Sequence, residues 1–175
     1  MASVQEPKNA SKSALWTFAT SVYADPAVSR AALIAQDQAG MDVNLLLFAA
    51  WLATSGAQLD EALLERAERL SGPWRTNVVQ PLRRLRRSWK QSPPHESAYA
   101  AIKDMELAAE RKQLAFLEES VCLDDERPDA KTCRALLTAN LRTLRRYYSA
   151  EQPLLREFER AVAAALGTAD ENADR

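Results

Sequence analysis

The chain has 175 residues, of which 47% are apolar, with 4 glycines and a formal net charge of −1 at pH 7. That length favours one domain with its own core, and a mixture rich in Ala, Leu, Arg and Glu but poor in Gly favours helix over strand. The near-zero net charge excludes a global field drawing the protein to nucleic acid or to a membrane surface.

Residues 1–12 are polar and lack the apolar stretch of a signal peptide, so they read as a disordered arm and the protein as cytoplasmic. Without an export signal, Cys122 and Cys133 read as reduced thiols and form neither a metal site nor a disulfide framework. Ser11 or Ser13 can cap a first helix carrying Leu15, Trp16, Phe18, Ala19, Val22 and Tyr23. Asp25-Pro26 is a second start signal, an N-cap followed by a proline whose missing N–H is harmless in the first turn. That helix runs through Val28, Leu33 and Ile34 to Gly40, a residue suited to a left-handed C-terminal cap, and Asp42 can cap the next.

From Val43 to Ala53 the chain is almost wholly apolar and does not alternate, which predicts a helix at about 43–54 buried on most sides. It is too short to span a membrane, which takes roughly 20 residues, and no membrane partner is expected. After Gly56 a helix starting near Asp60 should turn Leu59, Leu63, Ala67 and Leu70 inward and stop at Ser71-Gly72-Pro73. Trp74 to Lys90 then holds six basic residues and no acidic one. At 100° per residue, Val78, Leu82, Leu85 and Trp89 share one narrow face, expected to point inward, while Arg83, Arg84, Arg86, Arg87 and Lys90 occupy the rest. Pro81 either starts or kinks this helix, and Gln91-Ser92-Pro93-Pro94 ends it.

A long helix is expected at about 95–122. Its two apolar ridges, Ala98-Ile102-Met105-Ala109-Phe116 and Leu107-Leu114-Leu117-Val121, form a wide arc that suits neighbours on two sides. An acidic loop containing Pro128 follows. Ala130 to Ser149 then sets Cys133, Leu136, Leu137, Leu141, Leu144, Tyr147 and Tyr148 against Lys131, Arg134, Arg142, Arg145 and Arg146 on the opposite side. A last helix from about Pro153 buries Leu154, Leu155, Phe158, Val162 and Leu166. Gly167 should end it, leaving residues 168–175 as a disordered tail. The expected fold is all-α, a compact bundle of six to eight helices in a single domain at 13–167.

Charge comes in blocks: residues 71–92 carry +6, 93–130 carry −6 and 131–150 carry +5. The two basic blocks also share a pattern, Leu-Arg-x-Leu-Arg-Arg followed by an aromatic, at Leu82–Trp89 and Leu141–Tyr148. Arg83, Arg84, Arg86, Arg87, Arg142, Arg145 and Arg146 are therefore candidate binding residues for an acidic protein or RNA. A guanidinium holds carboxylate or phosphate in a two-pronged hydrogen bond, and neighbouring aromatics suit RNA. The competing reading pairs these helices with the acidic 93–130 segment inside the fold, where each exposed pair contributes only about 0–1 kcal/mol.

Asp37, Asp42 and Asn44 crowd one corner, and Glu106 and Glu110 share one helix face. An alternative function follows, a carboxylate-based metal enzyme or small-ligand binder near Asp37 and Asp42. No alternating series of oxygen ligands and no closing Glu of a calcium loop supports it, and capping by itself accounts for Asp42. There is no Gly-rich phosphate loop, nucleophile elbow, zinc pattern or dinucleotide fingerprint. The single histidine, His95, reads as a surface residue at a helix start. No catalytic residue and no cofactor is expected, and the reading leans to a non-catalytic binding or accessory protein.

Leu15-Trp16-x-Phe18-Ala19, Tyr23, Pro26, Val28, Leu33, Gln36-Asp37, Gly40, Asp42-Val43-Asn44-Leu45-Leu46-Leu47-Phe48 and Trp51 together resemble a family of uncharacterised bacterial, chiefly proteobacterial, conserved hypothetical proteins. The resemblance extends more loosely through Trp74-Arg75 and Pro81-Leu82-Arg83 into the long helix. It implies a helical protein, and it brings no reaction, cofactor or catalytic residue with it.

Overall fold

The computed structural model describes residues 13–91, 96–123 and 127–173, without side chains for residues 91 and 168–173. The expected N-terminal arm, His95 and the centre of the acidic loop lie outside the described residues. Among those described there are eight α-helices and no strand: α1 Ala14–Tyr23, α2 Pro26–Ala39, α3 Val43–Thr54, α4 Glu61–Trp74, α5 Gln80–Gln91, α6 Glu96–Glu119, α7 Ala130–Tyr147 and α8 Gln152–Ala173. None is long and apolar enough to cross a membrane.

Local chemistry sets the helix starts. Ser13 accepts the Trp16 N–H at 3.0 Å, Asp25 accepts the Ala27 N–H at 2.7 Å with Pro26 in the first turn, and Asp60 accepts the Leu63 N–H at 2.7 Å. These side chains satisfy amides that the first helical turn leaves unpaired. Gly40 ends α2 at φ 64°, in the left-handed region that an L side chain rarely adopts. That cap turns the chain into α3, where every residue from Val43 to Ala53 is buried.

The rest of the bundle is arranged on this spine. α7 packs most extensively on α3, α1 and α6 lie on its other sides, and α2 pairs with α8. Asn140 of α7, fully buried, accepts the Leu59 N–H at 2.7 Å and donates to the carbonyls of Ala49 (3.0 Å) and Ala57 (3.2 Å). One amide thus satisfies three backbone groups where α3 gives way to the next loop, a buried polar group with its partners supplied.

The chain does not stop at Ser71-Gly72-Pro73. α4 carries Pro73 within it and passes through a wide turn of π-helix, Arg75–Val79, straight into α5. The Gln80 N–H reaches back five residues to the Arg75 carbonyl. Pro81 follows at once; it has no N–H to return, and its ring would press on the carbonyl four residues earlier in a regular helix. A π turn holds one more residue than an α turn. Continuing α4 at 100° per residue carries the line Leu63, Ala67, Ser71 on to Val78, Leu82, Leu85 and Trp89. The extra residue advances the inner position by one, to Val79, Arg83 and Arg86. Val79 is 1% exposed, whereas Leu85 is 40% exposed and Leu82 and Trp89 are only half-buried. The inward leucine face expected for this helix is therefore corrected: α5 turns arginines in and sets its leucines on the flank.

Smaller differences have similar causes. Leu70, Met105, Leu107 and Tyr147 are exposed, while Glu106 and Gln113 are buried on α6, because that helix meets α5 through ion pairs and α3 through amides. The backbone of α8 continues past Gly167 to Ala173.

Candidate functional site

Two connected polar networks lie where α2, α3, the π turn, α5 and α6 meet. The first is built on Asp42, whose side chain is 5% exposed. One carboxylate oxygen caps α3 by accepting the Asn44 N–H at 3.0 Å, and the other accepts from the Gln113 amide and from Arg75 Nη1 at 3.4 Å. Asn44 Nδ2 donates to Gln113 Oε1 at 2.9 Å, closing a ring of three buried side chains between α3 and α6. Arg75 also grips Glu68 with both terminal nitrogens, at 2.7 and 2.8 Å. Gly72 leaves room beside that grip, since a Cβ there would stand 3.0 Å from Glu68 Oε2 and the carboxylate would have to give slightly. Burial pulls the Arg75 guanidinium down, but Glu68 and Asp42 outweigh it and hold the cation above its ordinary range.

The second network is the one the π turn creates. Arg83 donates to Glu106 at 3.3 Å, to Glu110 and to Gln36 of α2. Arg86 holds both oxygens of Glu106. The side chains of Arg83 and Glu106 are 18% and 6% exposed. Two cations and two carboxylates are thus taken out of water together, which is tolerable because each charge is paired and hydrogen-bonded. Burial still raises the Glu110 carboxyl above its usual range, against the pull of Arg83. Burial, reinforced by Glu110, likewise raises the Tyr23 hydroxyl beside it.

Two adjoining cavities open around these groups, with Gln36, Arg83 and Arg87 lining both. The first, about 380 Å³, runs between α1, α2, α3, α5 and α6 and is walled largely by apolar side chains, among them Trp16, Val43, Leu47 and Leu114. The second, about 340 Å³, is lined by Gly40, Asp42, Arg75, Arg83, Arg84, Arg87 and Tyr148. Its lining carries four guanidinium groups and one carboxylate, a net +3. Tyr148 accepts the Asp42 N–H at 3.3 Å, and its own proton meets no acceptor among the described residues. Burial, with Asp42 beside it, pushes that hydroxyl well above the ordinary range, so it stays a donor.

The residues singled out from the sequence are distributed as follows. Arg83 and Arg86 face inward, paired with the acidic helix α6, and do not present a solvent face. Arg84 is exposed and Arg87 is half-exposed, with Asp37 at 3.1 Å. On α7, Arg142 and Arg146 are exposed and Arg145 is half-buried. Asp37 and Asp42 do not converge with Glu106 and Glu110 on a shared ion. Asp37 is exposed and meets Arg87, Asp42 meets Arg75, and each glutamate meets Arg83. Among the described residues no cluster of three or more His, Cys, Asp or Glu is placed to hold a metal. Gln36, Arg75, Gln113 and Tyr148 were not legible as site residues: Gln36 and Arg75 entered only through the family resemblance, Tyr148 only as an inward aromatic of α7, and nothing in the local sequence marks Gln113. The one signal available was Pro81 soon after Pro73, a stretch where α-helical phase could not be assumed.

The family described as a protein of unknown function (DUF2390) matches residues 14–117, more than half of the chain, and the chain belongs to it. The matched span holds every lining residue of both cavities except Tyr148. No curated protein and no solved structure matches the chain.

Proposed function

We propose that this member of the DUF2390 family is a non-catalytic binding protein of the bacterial cytoplasm that receives an acidic segment of a partner protein, seating a carboxylate of that segment in the arginine-lined cavity. The observation that carries this reading is the cavity wall, whose four guanidinium groups include one, on Arg84, that the ion pairs of Arg75, Arg83 and Arg87 leave over. Asp42, the one acid, is already spent on the α3 cap, Gln113 and Arg75. Arg84 has no ion-pair partner among the described residues, and the Tyr148 hydroxyl offers a further donor. A planar carboxylate suits the two-pronged geometry of a guanidinium, and a recess of this size takes one such group more readily than a run of phosphates. Tyr148 closes α7, so Arg142, Arg145 and Arg146 lie on a helix that reaches the same cavity and would extend the basic surface along it.

The test is fluorescence anisotropy of a labelled acidic decapeptide and a labelled single-stranded RNA, each titrated with the protein at low salt. The peptide should bind, and an Arg84→Glu/Arg87→Glu variant should weaken it at least tenfold with helical content unchanged. Reversing Arg142 and Arg146 should weaken it less. Tighter binding of the RNA, or a peptide affinity indifferent to the Arg84/Arg87 reversal, overturns the reading. Arg83 and Arg86 are unsuitable targets, because changing them dismantles the ion pairs that hold α5 on α6.

A further inference from the structure

The first cavity has a direction. α1 and α6 run antiparallel along it: the Ala14 N–H meets Glu118 at 2.9 Å, Arg111 stacks over the Trp16 ring at 5.4 Å, and Tyr23 lies beside Glu110, Arg83 and Arg86. Trp16 and Leu114 therefore mark one end and Lys103, three turns away on α6, marks the other, with Tyr23 beside Glu110 between them. The first end is apolar. At the second end, Arg83 and Arg86 are committed to Glu106 and Glu110, but exposed Lys103 makes no ion pair among the described residues. The Tyr23 hydroxyl, half-buried, likewise has no hydrogen-bond partner among them. Of the four cationic groups of the lining, Arg83 and Arg86 are paired with Glu106 and Glu110 and Arg87 with Asp37, which leaves Lys103 over. Two large apolar side chains of the lining, Leu33 at 42% and Leu107 at 51%, stand in water although a wall lies beside them.

From this arrangement we infer that the first cavity binds a linear aliphatic carboxylate of medium length, with its chain along Leu33, Leu47, Leu107 and Leu114 and its carboxylate at Lys103. The volume of about 380 Å³ leaves room for an aliphatic chain of medium length, and decanoate serves as its probe. Such an occupant removes Leu33 and Leu107 from water and supplies the negative charge that the lining lacks.

The experiment is calorimetric titration of the full chain with sodium decanoate, decanol and decyltrimethylammonium, all below their aggregation limits. Decanoate should bind saturably with one site, decanol at least tenfold more weakly and the cation not at all. Thr20→Trp, which fills the cavity from an exposed position on α1, should abolish decanoate binding. Lys103→Glu should weaken decanoate at least tenfold and leave decanol as it was. Absence of saturable decanoate binding, equal binding of all three amphiphiles, or decanoate binding indifferent to Lys103→Glu overturns the inference. Arg84→Glu touches only the second cavity and should leave decanoate binding intact, so failure of one proposal is separable from failure of the other.

Discussion

The pattern Leu-Arg-x-Leu-Arg-Arg occurs in α5 and again in α7, and the two copies lie in the fold in opposite ways. In α7, Leu141 and Leu144 are 2% and 0% exposed and pack on the spine, while Arg142 and Arg146 stand in solvent. In α5, the equivalent Leu85 is 40% exposed, while Arg83 and Arg86 point in and hold Glu106 and Glu110. The spacing of leucine and arginine is the same in both. What differs is the phase each helix inherits: α7 starts afresh from its own cap, Asp129, which accepts the Thr132 N–H at 2.7 Å, whereas α5 continues α4 through a turn one residue too wide. The inner face of α5 is therefore set by what precedes it, and the fold gives up full burial of two leucines and a tryptophan to place two arginines in a cavity wall.

The largest effect should come from removing the acid that both inward arginines share. Glu106→Ala leaves Arg86 without its partner and Arg83 with one fewer, and it should destabilise the protein by about 3–5 kcal/mol in urea unfolding. Arg142→Ala and Arg146→Ala, on the exposed face of α7, should stay within about 0.5 kcal/mol. A Glu106→Ala variant as stable as wild type would mean that the α5 pairs are not formed in solution.

Next in size is the contrast between leucines. Leu144→Ala should cost about 2–5 kcal/mol, as a fully buried leucine does, and Leu85→Ala less than about 1 kcal/mol, as an exposed one does. Equal losses would erase the difference between the two copies.

The register itself can be tested. Inserting one alanine after Asn77 while the wide turn persists brings Leu82, Leu85 and Trp89 to the inner side and turns the arginines out. Deleting Asn77 instead converts the wide turn to a regular one and keeps Arg83 and Arg86 inside. A double-mutant cycle between Arg86 and Glu106 should give a coupling of about 1 kcal/mol or more in wild type and in the deletion, falling to about zero in the insertion. Coupling that survives the insertion would show that the π turn does not set the phase.

The smallest effect is a pH slope. Burial holds Glu110 above its ordinary 4.5, so the folded chain keeps a proton that the unfolded chain releases. Stability from this group is complete below 4.5 and is lost as pH rises through the folded value. Glu110→Gln cannot titrate. The stability of wild type relative to that variant should therefore fall from acid towards neutral pH, by less than about 1.4 kcal/mol per pH unit. Urea unfolding at pH 4.5, 5.5 and 7 measures it, and a difference that rises with pH would reverse the assignment.

The order of amino acids by itself determined the helical class, the caps at Asp25 and Asp42, helix starts near Ser13 and Asp60, the left-handed turn at Gly40 and the buried spine at 43–54. Each of these depends on interactions within a few residues along the chain, between a side chain and the nearest amides, or on an apolar run with no polar side to turn outward. Only the tertiary structure decided which side of α5 faces in, that Gln113 and Asn44 would bond across two helices, and that Arg75, Arg84 and Tyr148 would share a cavity wall. Those outcomes depend on helical phase carried through a single wide turn and on partners tens of residues apart, and a local pattern shared by α5 and α7 does not encode either.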